Sequence, residues 1–579
     1  MDRKRTMIAV LVTALFALPI LQYGFLQTWR DELNRPLPND GMQASFFVLH
    51  ARPFYVVPED FHLYVVRAKR IAERGWTGDL LWGRDADAAQ TVSAAPLQVG
   101  LGYIAYLTGG EPLRYTLFLM TLVFVSWSTL VLIALKELRT LYGFTAVLAF
   151  SLLVAVCEVP QSLFTLVAGY MSQLSSWPAD TIWSALQRMV PPSFQISSMS
   201  ADKIWPAYKA LRFSTHSWSL PLFVALAILA AKLVGNGKVE RSALALLAVI
   251  VVLFALGDVW SLFLSFGVLG LAWVLRSWMC LRTELRRGLT HQAAFKAAIL
   301  YPGSPALIGI AVGSIALFAM FPGPSGADAV ARAGFGPWWR GSSAGIGGPY
   351  DITISRLAGV WVVYSAITFL ALFVRRRGGS VTVALIGGLP LATASVLSAV
   401  FWIYGADAWQ TNQFHDRVYA SVFLSLLIQG WSLVRFGLAT RVPGFAPKRL
   451  AFTRAARVVA CLLGVFLVLH VGRIHIYIQR VAVPDYALTK DIEALKVTLQ
   501  QLDQGHRRAS FATMSHEINY LAALWTDFDL VLPEGFPLHF AGSNQEIARR
   551  MAGLLRFYGA TRESWTKFNL RMTPKDQVD

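Results

Sequence analysis

Charge is scarce in this sequence: 15% of its 579 residues are charged, where a soluble globular chain carries about 25%. With 55% of the residues hydrophobic, that shortage argues against a water-soluble fold. Cysteine is nearly absent. Cys157, Cys280 and Cys461 lie in or at the ends of apolar segments without metal-ligand spacing, so neither a disulfide framework nor a zinc site is indicated. They read as small apolar fillers. No Walker A sequence occurs, which speaks against a self-contained ATP-driven pump. His516-Glu517 opens HEINY, but Tyr520 stands where a zinc-protease helix needs its second histidine. Gly345-Ile346-Gly347 follows no strand and opens no helix, so no dinucleotide site is expected. No internal repeat and no low-complexity tract is present.

What the sequence does contain is apolar blocks of roughly 15 to 25 residues without charge, the length that crosses about 30 Å of hydrocarbon. Spans are expected near 7–26, 115–135, 141–158, 217–231, 242–257, 259–275, 299–320, 357–374, 381–403, 418–434 and 457–472. The N-terminus has the basic start of a signal peptide, but its apolar stretch is too long and no small-residue cleavage site follows. It reads as a retained first helix.

The formal net charge is +18. In a soluble protein that would suggest nucleic acid; here the basic residues gather in short loops, so no nucleic-acid partner is expected. With the N-terminus inside, the loops Asp2–Arg5, Lys136–Arg139, Lys232–Arg241, Arg276–Lys296, Arg375–Arg377 and Arg435–Arg457 hold about 22 Lys and Arg, against about 8 in the outer loops after the first. The expectation is a protein of the inner (cytoplasmic) membrane, multi-pass, with a cytoplasmic N-terminus and an extracytoplasmic C-terminus. Residues 1–472 form its transmembrane domain, with outer loops 27–114, 159–216 and 321–356. Residues 473–579 read as helix Asp485–Leu502, strand Ala509–Met514, helix His516–Trp525, strand Phe528–Leu532 and helix Asn544–Tyr558. That is a small α/β domain outside the membrane.

The segment PEDFHLYVVRAKRIAERGW, residues 58–76, repeats apolar residues at three- and four-residue steps, as an amphipathic helix does. Pro58 suits its first turn, and Glu59 and Asp60 sit where the helix dipole favours anions. On composition alone the two acids do no more than charge a helix start. They stand soon after the first span on the outer face, with His62 close behind.

For a phosphate, cations near outer helix ends are the candidates. Arg212 and His216 precede the fourth span in LRFSTHSW; His415 and Arg417 precede the tenth in NQFHDRVY. The plain reading of each is snorkelling at the interface, with Trp218 and Tyr419 as belt aromatics. The triplet His415-Asp416-Arg417 in a short loop has few structural duties, which makes Arg417 the first choice for a phosphate. Asp258, in GDVW between two spans, is either a metal or acceptor contact or the acid of a hairpin turn. Trp338-Trp339-Arg340 in the third outer loop either stacks on a sugar or anchors the interface.

The residues Glu59-Asp60-Phe61-His62 resemble the acidic pair in the first extracytoplasmic loop of the GT-C superfamily of membrane glycosyltransferases. Its protein mannosyltransferase branch carries Asp-Glu-x-His there, with the acids in the other order. The tail sequence MSHEINYLAALWTDFDLVLPEGFPLHFAGSNQEIARRM is also similar to tails of bacterial membrane proteins of GT-C type. The resemblance implies a mostly α, polytopic protein of about 11 spans with a small α/β C-terminal domain. It implies transfer of a sugar from a polyprenyl-phosphate-linked donor to a glycan, lipid or protein acceptor on the outer face. Glu59 and Asp60 would be the catalytic pair, and a divalent metal ion is a candidate ligand of both. Arg417, Arg212 and His415 would bind the donor phosphate, and His62, Asp258, Trp338, Trp339 and Arg340 would contact acceptor or sugar. The rival readings are a secondary transporter or flippase, for which Pro302, Pro305 and Gly387-Gly388-Leu389-Pro390 are the best signs, and a non-catalytic membrane scaffold.

Overall fold

The computed structural model describes residues 3–15, 17, 100, 112–156, 215–235, 240–299, 304–319, 349–374, 379–404, 408–433, 490–505, 510–512, 522, 525–531, 544–559 and 561. They are mostly helical. After a helix over residues 3–15 come α1 (Pro112–Tyr142), α2 (Phe144–Val156), α3 (Thr215–Gly235), α4 (Arg241–Gly257), α5 (Val259–Arg286), α6 (His291–Ile299) and α7 (Ser304–Ala319). These are followed by α8 (Pro349–Val374), α9 (Gly379–Tyr404) and α10 (Ala408–Ser432).

Helices α1 to α5 and α7 to α10 cover the second to tenth expected spans. By length and composition, the stretches Thr121–Tyr142, Trp218–Gly235, Trp260–Arg286 and Val381–Ala399 are long and apolar enough to cross a membrane. A fifth follows if His291–Ile299 and Ser304–Leu317, bent by 48°, make one span. Phe144–Ala155, Arg241–Gly257 and Leu357–Phe373 are apolar but shorter. Runs of this length and hydropathy need lipid around them, and the chain is a membrane protein.

Local chemistry sets the breaks. Gly143 takes φ 94° between α1 and α2, and its N–H donates to the Arg139 carbonyl at 2.8 Å. That left-handed step, open to glycine without penalty, ends α1 and starts the next helix at once. Between α4 and α5 the break is one extended residue, Asp258, at φ −156° and ψ 93°.

Helix α3 is the centre of the bundle. It is apolar on every side, and 89% of its Trp218–Gly235 stretch is buried, against 33% of Trp260–Arg286. It packs on α1, α4, α5, α9 and α10, the arrangement expected of a helix without a polar face. Several polar groups inside the bundle are paired across helices. The Trp273 indole donates to Ser304 Oγ at 2.9 Å, and the Trp361 indole donates to Ser395 Oγ at 2.9 Å. The Tyr364 hydroxyl donates to the Ala384 carbonyl, and a Cβ on Gly387 would come within 2.8 Å of the Tyr364 ring. The glycine pair named above as a transporter sign therefore serves close packing of α8 on α9, and α9 runs unbroken through Pro390.

Contacts sort the helix ends into two sets. At one end Lys136 meets Glu240 at 2.7 Å, Lys232 meets Glu137 at 2.5 Å and Glu240 at 3.3 Å, and Arg276 donates to the Val234 carbonyl at 3.3 Å. There too the Trp431 indole donates to the Tyr142 carbonyl at 3.2 Å. So the C-terminal parts of α1, α3, α5 and α10 lie together. The hydrogen bond from Lys136, and then the charge of Lys232, hold the Glu240 carboxyl below its ordinary value. That tie is complete above pH 4.5 and is lost only as pH falls through the lower folded value. The opposite end holds Ser219, Asp258, Ser261 and Arg417. From Ser219 to Val234 a helix rises roughly 22 Å, most of the way across the hydrocarbon.

In the tail, α11 (Lys490–Gly505), β1 (Ser510–Phe511), β2 (Asp529–Leu530) and α12 (Asn544–Phe557) are described. The strands are parallel, with Ser510 opposite Asp529 and Phe511 opposite Leu530. Phe511 and Phe528 stack with centroids 5.7 Å apart. Arg550 donates to the Val531 carbonyl at 3.0 Å, tying α12 to the end of β2. The expected helix His516–Trp525 lies largely outside the described residues.

Candidate functional site

Asp258 organises the site end of the bundle. Its N–H closes the last turn of α4 on the Phe254 carbonyl at 2.8 Å. Its side chain caps α5: Oδ1 accepts from the N–H groups of Trp260 at 3.1 Å and Ser261 at 3.2 Å. An aspartate does this well because it satisfies orphan amides and places negative charge at the positive helix end. The sequence reading of GDVW as helix-hairpin chemistry holds for the backbone, but the acid is not at a surface. Asp258 is 3% exposed, and its Oδ2 accepts from Ser261 Oγ at 2.7 Å.

The partner of that carboxylate is Arg417. The guanidinium Nη2 is ion-paired to Asp258 Oδ2, Nε donates to the same oxygen at 3.1 Å and to Ser261 Oγ at 2.6 Å, and Nη2 reaches Ser219 Oγ at 3.5 Å. Arg417 is 1% exposed and ranks among the largest fully buried side chains. Two sequence expectations change here. His415, Asp416 and Arg417 do not occupy a loop; α10 begins at Ala408, because the polar run AWQTNQFHDR continues the helix beyond its apolar part. Nor does Arg417 snorkel, since its charge is met inside the bundle.

The aromatic residues beside the cluster are interior as well. Trp218 and Tyr419 are each 2% exposed, where the sequence suggested belt positions. Gly257 makes room for Trp218: a Cβ there would lie 2.6 Å from Trp218 Cζ2. The indole also meets Phe254, centroids 6.2 Å apart. Alanine is the better helix former by about 1 kcal/mol, so Gly257→Ala would stabilise α4 if space allowed. We expect it instead to lower the protein's stability by about 1–3 kcal/mol through the forced shift of the ring. A thermal unfolding midpoint at or above wild type would show that the ring does not fill that space.

Electrostatically the cluster is not neutral. The positive ends of α3 and α5 meet here, each worth about half a charge. Arg417 adds one positive charge, Asp258 removes one, and the negative end of α4 at Gly257 removes about half, leaving roughly half a unit of positive charge at a buried point. Such a point favours an anion. It does not suit a cation: both Asp258 oxygens already accept N–H or O–H donors, and no three His, Cys, Asp or Glu side chains converge among the described residues.

One residue from the first outer loop is described close by. A Cβ on Gly100 would collide with the Leu256 carbonyl, two residues before Asp258. Gly100, in the loop that carries Glu59 and Asp60 in sequence, therefore meets the site end of α4. Glu59, Asp60, His62, Arg212, Trp338, Trp339 and Arg340 lie outside the described residues, and His415 is described only as a residue of α10. Of the sequence candidates the structure brings together Arg417 and Asp258. Ser219, Ser261 and Trp218 were not singled out as site residues, and only their closeness to helix starts could have signalled them.

No family model matches the chain, and no curated protein matches its sequence. Among solved structures it is similar to the Archaeoglobus fulgidus oligosaccharyltransferase tethered with an acceptor peptide, at 12% identity and TM-score 0.39, over 96% of this chain and 68% of that one. It is also similar to the archaeal oligosaccharyltransferase AglB from the same organism in complex with an inhibitory peptide and a dolichol-phosphate. There the identity is 11% and the TM-score 0.38, over 95% and 68% of the two chains.

Proposed function

We propose that the chain is a GT-C-type glycosyltransferase that moves a sugar from a polyprenyl-phosphate-linked donor to an acceptor hydroxyl on the extracytoplasmic face. The observation that carries this reading is the buried Arg417, held by Asp258 where the positive ends of α3 and α5 meet. A membrane-embedded charge cluster of this kind marks function by default, and its surplus charge fits a lipid phosphate. The acidic pair Glu59-Asp60 supplies the other half of the chemistry.

In the reaction the acceptor oxygen bonds to the anomeric carbon while the bond from that carbon to the phosphate oxygen breaks. The electron pair leaves on the phosphate, where Arg417 stabilises the growing charge. One carboxylate of Glu59 and Asp60 takes the acceptor's proton, and the other orients the acceptor. Asp258 acts on Arg417 as a positioning residue. No step needs a bound metal in this scheme. Transfer of a labelled sugar by the purified protein is the direct test.

The same proposal includes eleven spans, a cytoplasmic N-terminus and an extracytoplasmic domain over residues 473–579. The clustering of Lys136, Lys232 and Arg276 at the end opposite Arg417 supports it, because basic ends favour the cytoplasm. An alkaline phosphatase reporter fused after Asp579 should be active and a cytoplasmic reporter there silent. The reverse pattern would put the phosphate site on the cytoplasmic side and end the outer-face assignment.

A further inference from the structure

We infer that the indole N–H of Trp218 is a second donor to the phosphate held by Arg417, an assignment that rests on the reading of this chain as a user of polyprenyl-phosphate donors. Trp218 is 2% exposed, and its Nε1 is a buried donor with no acceptor among the described residues. Buried N–H groups are almost always matched, and one that is not calls for a missing partner.

The ring has little freedom to find that partner by moving. Phe254 packs on it at 6.2 Å, and the bare Gly257 backbone lies against its six-membered ring. Both chain segments that hold the indole lead straight into the ion pair. The residue after Trp218 is Ser219, whose Oγ accepts from Arg417; the residue after Gly257 is Asp258, which pairs with it. The chain segments that hold the unmatched donor are therefore next in sequence to two partners of the buried guanidinium.

Charge decides what fills the gap. The Asp258 carboxylate is engaged by Arg417, by Ser261 Oγ and by two backbone N–H groups, so it does not serve the indole. The surrounding helix starts leave a positive surplus that favours an anionic acceptor. A phosphate group has several oxygens. One can meet the guanidinium while another accepts from the indole, and the ring keeps its apolar body against α4. Phenylalanine at this position would offer no donor and, lacking the indole's second ring, would leave part of the space beside Gly257 empty.

Trp218→Phe tests this in the full-length protein in nanodiscs, by equilibrium binding of undecaprenyl phosphate. Loss of one hydrogen bond to a charged group should weaken binding about tenfold. The smaller ring lowers the thermal midpoint of the lipid-free protein by itself, so the second reading is the rise in midpoint on adding undecaprenyl phosphate, which should shrink in the variant. Binding equal to wild type, or an unchanged rise in midpoint on adding the lipid, would overturn the inference. A wild-type protein that binds no undecaprenyl phosphate would overturn the functional reading and this inference with it; the ratio between wild type and variant addresses the inference alone. Two competitors separate the sources of the phosphate. Inorganic phosphate should compete, and should do so less well against the variant. If phosphatidylglycerol binding falls tenfold in Trp218→Phe as well, the N–H serves bilayer headgroups and the donor assignment is wrong.

Discussion

Arg417→Met and Asp258→Asn should each destabilise the protein by about 3–5 kcal/mol, since breaking a buried pair leaves one charge without its counterpart. The two variants isolate that effect. Methionine keeps much of the arginine's length inside α10. Asparagine retains an oxygen to cap α5, so the loss is not that of the cap. In the double variant no net charge is stranded, so its loss should be smaller than that of either single variant, which requires a coupling energy larger than the roughly 3–5 kcal/mol of one single change. Thermal unfolding of the four proteins in nanodiscs supplies the cycle. Stability and function should then part company. The double variant recovers the fold yet lacks the guanidinium, so its binding of undecaprenyl phosphate should stay lost. If both single variants melt with wild type, the ion pair does not hold α5 to α10.

The extent to which this site could be read from the sequence follows from the range of the forces that build it. The helices were legible because charge-free runs are local, and so was the break at Gly257-Asp258, where a turn-forming acid interrupts two apolar runs. The pairing of Asp258 with Arg417 spans 159 residues and depends on how α5 packs on α10, which no local pattern encodes. The same applies to Trp218. A tryptophan at the edge of an apolar run looks like a belt residue until Gly257, on another helix, is found beneath it. The start of α10 was missed for the opposite reason: the polar stretch from Ala408 to Arg417 lacks the apolar signal, yet continues the helix. The tail strands were expected at Ala509–Met514 and Phe528–Leu532 and are described as the shorter pair Ser510–Phe511 and Asp529–Leu530. Alternation places a strand more reliably than it sets its ends.

The carboxylate pair carries the largest expected effect on activity. A general base contributes about 10²–10⁴-fold to a transfer rate, so Glu59→Gln or Asp60→Asn should remove nearly all turnover by whichever residue takes the proton. Both changes preserve side-chain size and hydrogen-bonding capacity, and the sequence puts both acids at the start of an amphipathic helix. Membrane insertion and thermal midpoint should therefore match wild type, in contrast to the Arg417 and Asp258 variants. Binding of undecaprenyl phosphate should also persist, since the phosphate site we propose lies with α3, α5 and α10. The decisive measurement is transfer of a labelled sugar from polyprenyl phosphate by wild-type, Glu59→Gln and Asp60→Asn proteins in nanodiscs. The account predicts transfer by wild type and a loss of at least about a hundredfold in one or both variants. Wild-type turnover in both variants would contradict it.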